Sequence, residues 1–246
     1  MNYKLVLQYD GTKLNGWQKQ GNTDNTIQGK LEAILEKMYG QYVEIHGSGR
    51  TDAGVHALGQ VANFHAPEKF SPEEMKASLN EYLSKDIRVL KVETADDRFH
   101  ARLTAKAKTY EYRIDNGEVA DVFQRKYVMR EENSLDLDAM RAAAGYLVGT
   151  HDFKTFCANK KMKKSTMRTI YSIDIEEKNG IVSIKYRGNG FLYNMVRILT
   201  GTLIEVGRGM RKPEEMKRAI EAQDRGSAGF TAPAQGLYLV EVEYSH

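Results

Sequence analysis

Asp52, Arg50 and three glycines crowd into one stretch, Gly47-Ser48-Gly49-Arg50-Thr51-Asp52-Ala53-Gly54-Val55-His56-Ala57. A neighbouring guanidinium lowers a carboxyl pKa, so Asp52 is biased towards its ionised form. An ionised carboxylate held in a short loop is a candidate nucleophile or general base. The glycines let the backbone take positive φ and let a ligand approach closely. The runs Val43-Glu44-Ile45 and Gln60-Val61-Ala62-Asn63-Phe64 flank the stretch and read as strands. Hairpin loops usually run about 2–5 residues, and longer ones are disproportionately functional. A nucleotide-phosphate loop is excluded, because the P-loop lysine is missing and Asp52 stands where the dinucleotide pattern needs glycine.

Three further groups have residue types that could serve chemistry. Arg197 falls in an apolar run, Phe191 to Val206, that reads as a long buried helix. A cation there needs a partner, and the helix offers only Glu205, so the partner is expected from elsewhere, unless the arginine snorkels to the surface. Tyr110 and Tyr112 share one face of the strand-like run Lys108-Thr109-Tyr110-Glu111-Tyr112-Arg113-Ile114. Either is core packing, or a ring that stacks on a nucleobase in a cleft. Lys160, Lys161, Lys163, Lys164 and Arg168 form the densest basic run, which is a solvated loop or a phosphate-contacting one. Arg98-Phe99-His100-Ala101-Arg102 is a second, smaller basic segment. The six histidines are scattered and Cys157 has no cysteine partner, so neither a metal site nor a disulfide is expected.

The elements that must position these groups alternate in type. Tyr3 to Tyr9 reads as a strand, closed by Asp10-Gly11-Thr12. Ile27, Leu31, Ile34, Leu35 and Met38 fall on one helical face, with Asn25 and Gln28 spaced as a capping box. Ser71-Pro72-Glu73-Glu74 opens a second helix, reaching about Leu83. Ile87–Val92 and Lys108–Ile114 follow as strands, then a helix over 137–147, strands over 170–175 and 182–186, a helix over 191–206, another from Pro213, and a closing strand from Leu237. Asn116–Ser134 has little periodicity and reads as a loop insertion. Adjacent strand pairs mixed with helices predict an α+β fold with a largely antiparallel sheet. At 246 residues and 41% hydrophobic content the chain can bury a sizeable core. No linker is rich in Pro, Gly or Ser, so two closely packed halves with a cleft between them are expected, divided as 1–103 and 104–246. Net charge is only +3, which by itself says little of nucleic acid. No apolar run reaches the roughly 20 residues a membrane span needs, and no secretory pattern opens the chain, so a cytoplasmic protein is expected.

G-S-G-R-T-D-A-G-V-H-A followed by G-Q-V resembles the active-site motif of the TruA family of tRNA pseudouridine synthases. Further segments resemble it in order: Tyr9-Asp10-Gly11-Thr12 with Gly16-Trp17-Gln18, Phe99-His100-Ala101-Arg102, Gly149-Thr150-His151-Asp152-Phe153 with Arg168-Thr169-Ile170, Gly188-Asn189-Gly190-Phe191-Leu192, and Thr231-Ala232-Pro233-Ala234 with Leu237-Tyr238-Leu239. Leu14 departs from the pattern, since many members have an aromatic there. The resemblance implies two related halves, each an antiparallel sheet with helices on one face, around a central RNA-binding cleft. It implies a homodimer acting on the anticodon arm of tRNA, isomerising uridine to pseudouridine at positions 38, 39 and 40. No cofactor is implied, because the isomerisation is redox-neutral and loses no atoms. Asp52 is then the catalytic residue, Arg197 its ionic partner, and Tyr110 the residue stacked on the target base. Arg50, Lys160, Lys161 and Arg168 become the expected RNA contacts. The rival reading is a non-catalytic tRNA-binding protein, which needs the basic surface but not Asp52; a metal-free hydrolase with Asp52 as nucleophile is a lesser third.

Overall fold

A computed structural model describes residues 1–159 and 161–245. The chain divides into two compact units, one of residues 1–106 with 238–246, the other of residues 107–237. The last strand thus joins the first unit.

In the first unit the order across the sheet is β4 (Ile87–Ala95), β1 (Asn2–Tyr9), β3 (His56–His65) and β10 (Leu237–Tyr244). β1 is antiparallel to both neighbours, and β10 runs parallel to β3 through Tyr238↔His56 and Leu239↔Ala57. Tyr3, Leu5 and Leu7 alternate inward from β1 and are fully buried, as period-two patterning requires. α1 (Ile27–Tyr39) adds Ile27, Leu31 and Leu35 to this core, and α2 (Pro72–Tyr82), which packs on β4, adds Met75 and Leu79. Each such side chain contributes about 1.5–3 kcal/mol on burial. The helix start expected at Ser71 is present and carries a capping box: Ser71 Oγ accepts from Glu74 N at 3.2 Å, and Glu74 Oε2 accepts from Ser71 N at 2.8 Å.

Two expectations for this unit are corrected. α1 is capped by Thr26, whose Oγ1 accepts from Gly29 N at 3.2 Å, and not by Asn25. Asn25 instead donates to Lys13 O, and Gln28 accepts from Lys19 N, so both are taken by the preceding loop. Val43-Glu44-Ile45 is not a strand; only β2 (His46–Gly47) pairs with β3, because Val43 and Ile45 are buried through side-chain packing without a ladder partner.

In the second unit the order is β5 (Ala105–Asp115), β9 (Ile181–Gly188), β8 (Met167–Lys178) and β7 (Gly149–Asp152), all antiparallel. β6 (Met129–Arg130) adds a short parallel rung to β5 from within the stretch read as a structureless insertion. Arg130 fixes it there, pairing with Asp115 at 2.9 Å and donating to Gly117 O at 2.7 Å. α3 (Leu137–Gly145) packs on α4 (Met195–Gly207), and α5 (Glu215–Ala222) follows. Tyr112, Ile114, Ile184, Tyr186, Leu199 and Leu203 are fully buried, and Tyr186 Oη meets Thr200 Oγ1 at 2.9 Å to tie sheet to helix. α4 begins at Met195 and not at Phe191, because Asn194 takes a left-handed φ of 58° that a continuing helix cannot hold. Both units mix sheet and helix, so the fold is α+β.

Candidate active site

The Asp52 loop spans the residues between Gly47, where β2 ends, and His56, where β3 begins. Its backbone is gripped from one side by the segment that follows β1. Trp17 N donates to Thr51 O at 3.0 Å, and Gly54 N donates to Leu14 O at 3.3 Å. Within the loop Val55 N donates to Asp52 O at 3.1 Å. Gly16 sits at φ 85°, and a Cβ there would stand 2.6 Å from Thr51 O. Gly11 is equally constrained, since a Cβ would collide with the Val55 carbonyl. These two glycines are therefore required by the approach of two backbones.

From the other side a buried polar network holds the loop. Ser48 Oγ donates to Gln60 Oε1 at 2.6 Å, while Gln60 Nε2 donates to Gly49 O at 3.0 Å and to Tyr9 Oη at 3.3 Å. Tyr9 Oη in turn meets Thr51 Oγ1 at 2.8 Å. Gln60 and Ser48 are fully buried. Burial pushes the Tyr9 phenol up to about 12, against the smaller opposing effects of its Thr51 and Gln60 hydrogen bonds. His56 closes the frame: its Nδ1 accepts from Gly11 N at 3.1 Å and its ring stacks on Tyr238 at 4.8 Å. An Nδ1 that accepts an amide hydrogen belongs to the neutral imidazole with its proton on Nε2. Asp10 Oδ1 is 3.3 Å from that Nδ1 and accepts from Thr12 N and Oγ1. Asp52 itself is half-buried and Arg50 is exposed.

In the second unit Tyr110 and Tyr112 both point inward from β5, but they differ. Tyr112 donates its hydroxyl to Pro233 O at 2.7 Å and is wholly buried, which raises its pKa. Tyr110 retains 8% exposure and packs edge-on against Phe191 at 5.2 Å. Arg197, half-buried on the first turn of α4, donates Nε to Ala232 O at 2.7 Å and Nη1 to Asn194 Oδ1 at 3.0 Å. Ala232 N donates back to Arg197 O at 3.0 Å, tying the Thr231-Ala232-Pro233 segment to α4. Lys161, Lys163 and Lys164 are exposed, whereas Arg168 is half-buried and donates Nη1 to Ser165 O at 3.0 Å and Met167 O at 2.6 Å. Burial lowers the Arg168 pKa. Lys163 and Lys164 line a cavity of about 620 Å³ with Lys154 and Arg225. Lys160 lies outside the described residues.

The residues that hold the loop, Tyr9, Thr51, His56 and Gln60, were not singled out from sequence. Their only signal was position: Tyr9 opens the Y-D-G-T segment, and Gln60 is the glutamine of G-Q-V just after the Asp52 motif. Among the described residues no group of His, Cys, Asp and Glu is arranged to hold a metal ion, and no helix is long and apolar enough to cross a membrane.

An α+β chain presenting a carboxylate on a clamped glycine-rich loop has a feature that acid- or nucleophile-dependent enzymes use. A sequence profile described as tRNA pseudouridine synthase matches residues 5–103 and 143–245. A protein of Bacillus cereus named tRNA pseudouridine synthase A 2 is 50% identical over 99% of both chains. One from a Bacillus sp. named tRNA pseudouridine synthase A is 51% identical over the same share, and tRNA pseudouridine synthase A 1 of Clostridium tetani is 46% identical, again over 99% of both. A solved structure titled as a Cbf5–Nop10–Gar1 complex aligns with 96% of this chain and 48% of its own at a TM-score of 0.38 and 12% identity. The chain belongs to the tRNA pseudouridine synthase family, isomerases that act on tRNA uridines.

Proposed function

We propose that this protein converts uridine to pseudouridine at positions 38, 39 and 40 in the anticodon arm of tRNA, with Asp52 as the catalytic carboxylate. The observation that supports it most directly is the clamping of the Asp52 loop on both sides, which holds the backbone that carries the carboxylate. Isomerisation breaks the N1–C1′ bond, turns the base, and joins C5 to C1′; the C5 hydrogen leaves as a proton and the N1 position gains one. No atom or electron is lost, so the balance calls for no cofactor. A paired uridine must first leave its stack, at a cost of a few kcal/mol. Arg50, exposed two residues from Asp52, is suited to take the vacated space or a flanking phosphate. Tyr110 stacks on the extruded base, and Arg197 keeps the Asp52 carboxylate ionised. The ionised carboxylate then attacks C1′, attacks C6, or removes a ribose proton, and Tyr110 or Asp52 takes the C5 proton at the end. Lys160, Lys161 and Arg168 contact phosphates, which sets affinity and salt dependence without reading sequence. A homodimer in which one tRNA touches both subunits, acting in the cytoplasm, completes the reading.

The test is tritium release from a tRNA transcript labelled at uridine C5, run beside Asp52→Asn. Release by the wild type alone, with pseudouridine mapped to 38–40, is the expected result. Tight tRNA binding without release would favour a non-catalytic binder, and free uracil in place of pseudouridine would favour a hydrolase.

A further inference from the structure

The turn Arg98-Phe99-His100-Ala101-Arg102 is built far more firmly than a solvated loop needs. Two fully buried asparagines spend their amides on it. Asn2 Nδ2 donates to Asp96 O at 2.8 Å and Phe99 O at 2.9 Å, and Asn63 Nδ2 donates to Asn2 Oδ1 at 3.0 Å and to Phe99 O at 3.3 Å. Ala101 N donates to Asn63 Oδ1 at 2.8 Å, and Tyr244 Oη donates to Ala101 O at 2.7 Å. Phe99 packs on the Tyr244 ring at 4.9 Å, with Lys4 over both rings. The backbone of the turn is thus held by β1, β3 and β10 at once.

What this frame displays includes two exposed guanidinium groups, Arg98 and Arg102. The His100 ring stacks on His46 at 4.8 Å and 23°, and His46 is the register partner of Asn63 on β2, the strand that leads into the Asp52 loop. His100 Nδ1 accepts from Arg102 N at 3.1 Å, which leaves Nε2 as the donor nitrogen. Burial lowers the His100 pKa, and the neighbouring charges of His46, Arg102 and His65 push the same way. Acids stand beside it: Glu44 Oε1 is 3.9 Å from His46 Nδ1, Asp96 Oδ1 accepts from Arg98 N, and Asp96 and Asp97 are exposed just before the turn. Basic groups that repel one another on a rigid frame are stabilised by an anion brought between them.

We infer that the Arg98–Arg102 turn, with His46, is a phosphate-binding surface for the backbone of the bound tRNA, with Arg102 as its principal cation and His100 as a neutral donor. This rests on the tRNA-modifying reading above. Arg102 is exposed, so its replacement leaves the buried asparagine frame intact.

The test is the equilibrium affinity of the full-length protein for a tRNA transcript at several salt concentrations. It compares wild type, Arg102→Ala, Arg102→Lys, and Lys76→Ala as an equal charge loss on the exposed face of α2. One lost phosphate contact lowers the slope of log affinity against log salt by about 0.7–0.9. Arg102→Ala is expected to show that loss and to bind several-fold more weakly at low salt. Arg102→Lys is expected to restore most of the slope, and Lys76→Ala to match wild type. His100→Ala is expected to weaken binding with a smaller slope change, since it removes a neutral donor. Any of three outcomes overturns the proposal: a wild-type slope and affinity in Arg102→Ala; the same slope loss in Lys76→Ala; or a changed oligomeric state in Arg102→Ala at unaltered slope, which would make the turn a subunit contact. Tritium release by the wild type is read separately. Its absence would sink the catalytic assignment while leaving the phosphate surface to stand or fall on the slopes.

Discussion

The Asp52 loop and the basic stretch from Lys161 to Lys164 are both irregular and both rich in functional residue types, yet they are held in opposite ways. The first is fixed by backbone and buried side-chain bonds that reach across the unit, from Tyr9 to Thr51, Trp17 to Thr51, and Gln60 to Gly49. The bonds of the second stay within a few residues: Lys161 N donates to Asn159 Oδ1 and Met162 N to Asn159 O. Bond rearrangement needs a reacting group placed to within a fraction of an ångström. Phosphate attraction works over a Debye length of about 8 Å and tolerates a mobile cation. The molecule invests order where geometry decides the rate and omits it where charge suffices.

That contrast can be broken most sharply at the carboxylate. Asp52→Asn keeps the shape of the loop and is expected to cut turnover at least about 10³-fold while tRNA affinity stays within roughly twofold. A parallel loss of affinity would mean that Asp52 is structural. Next in size is Gln60→Leu, which removes the acceptor of the buried Ser48 hydroxyl and a donor to the Gly49 carbonyl. Each buried group left unsatisfied costs about 1–3 kcal/mol, so urea unfolding should show a stability loss of about that size or more, and turnover should fall with KM nearly constant. A variant that unfolds normally and turns over normally would show that the network does not position the loop. Lys161→Ala should act only on binding, weakening tRNA affinity a few-fold and lowering the salt slope by about 0.7–0.9, with single-turnover rates at saturating tRNA unaffected. The smallest effect concerns pH. Tyr9 has its folded-state pKa raised to about 12, from an unfolded value of 10.0, by burial. Burial of the neutral phenol contributes its full stability below pH 10, and that contribution is lost as pH rises from there towards 12, because the unfolded state releases the proton first. Tyr9→Phe should therefore flatten the decline of unfolding free energy over that window, read from urea titrations at several pH values. An unchanged slope would place Tyr9 outside the groups that titrate on unfolding.

Much of this was legible from residue order because local rules and tertiary packing agreed. The Ser71-Pro72-Glu73-Glu74 cap and the alternation of β1 are decided within a few residues, and both appear as expected. The failures fell where a distant partner outvotes a local pattern. Asn25 and Gln28 have capping-box spacing, but the loop that carries Lys13 and Lys19 claims their side chains. The apolar run from Phe191 is continuous, yet Asn194 turns left-handed and frees Phe191 to pack on Tyr110. At the site, Asp52 was legible from its own neighbourhood. Gln60 and Tyr9 were not, because a glutamine and a tyrosine in strands look like ordinary sheet residues until the loop they support is in place.

The parallel pairing of β10 with β3 has a temporal side. Tyr238 sits opposite His56 and stacks on it, and His56 in turn braces the turn that grips the Asp52 loop. During synthesis the ribosome delivers His56 early and Tyr238 only after the whole second unit. At about 5–20 residues per second that interval is on the order of ten seconds or more. For that time the His56–Ala57 end of β3 lacks its β10 partner, and a strand edge left open is a template for mispairing. A nascent or truncated chain lacking the last strand therefore holds His56 without the Tyr238 ring that stacks on it.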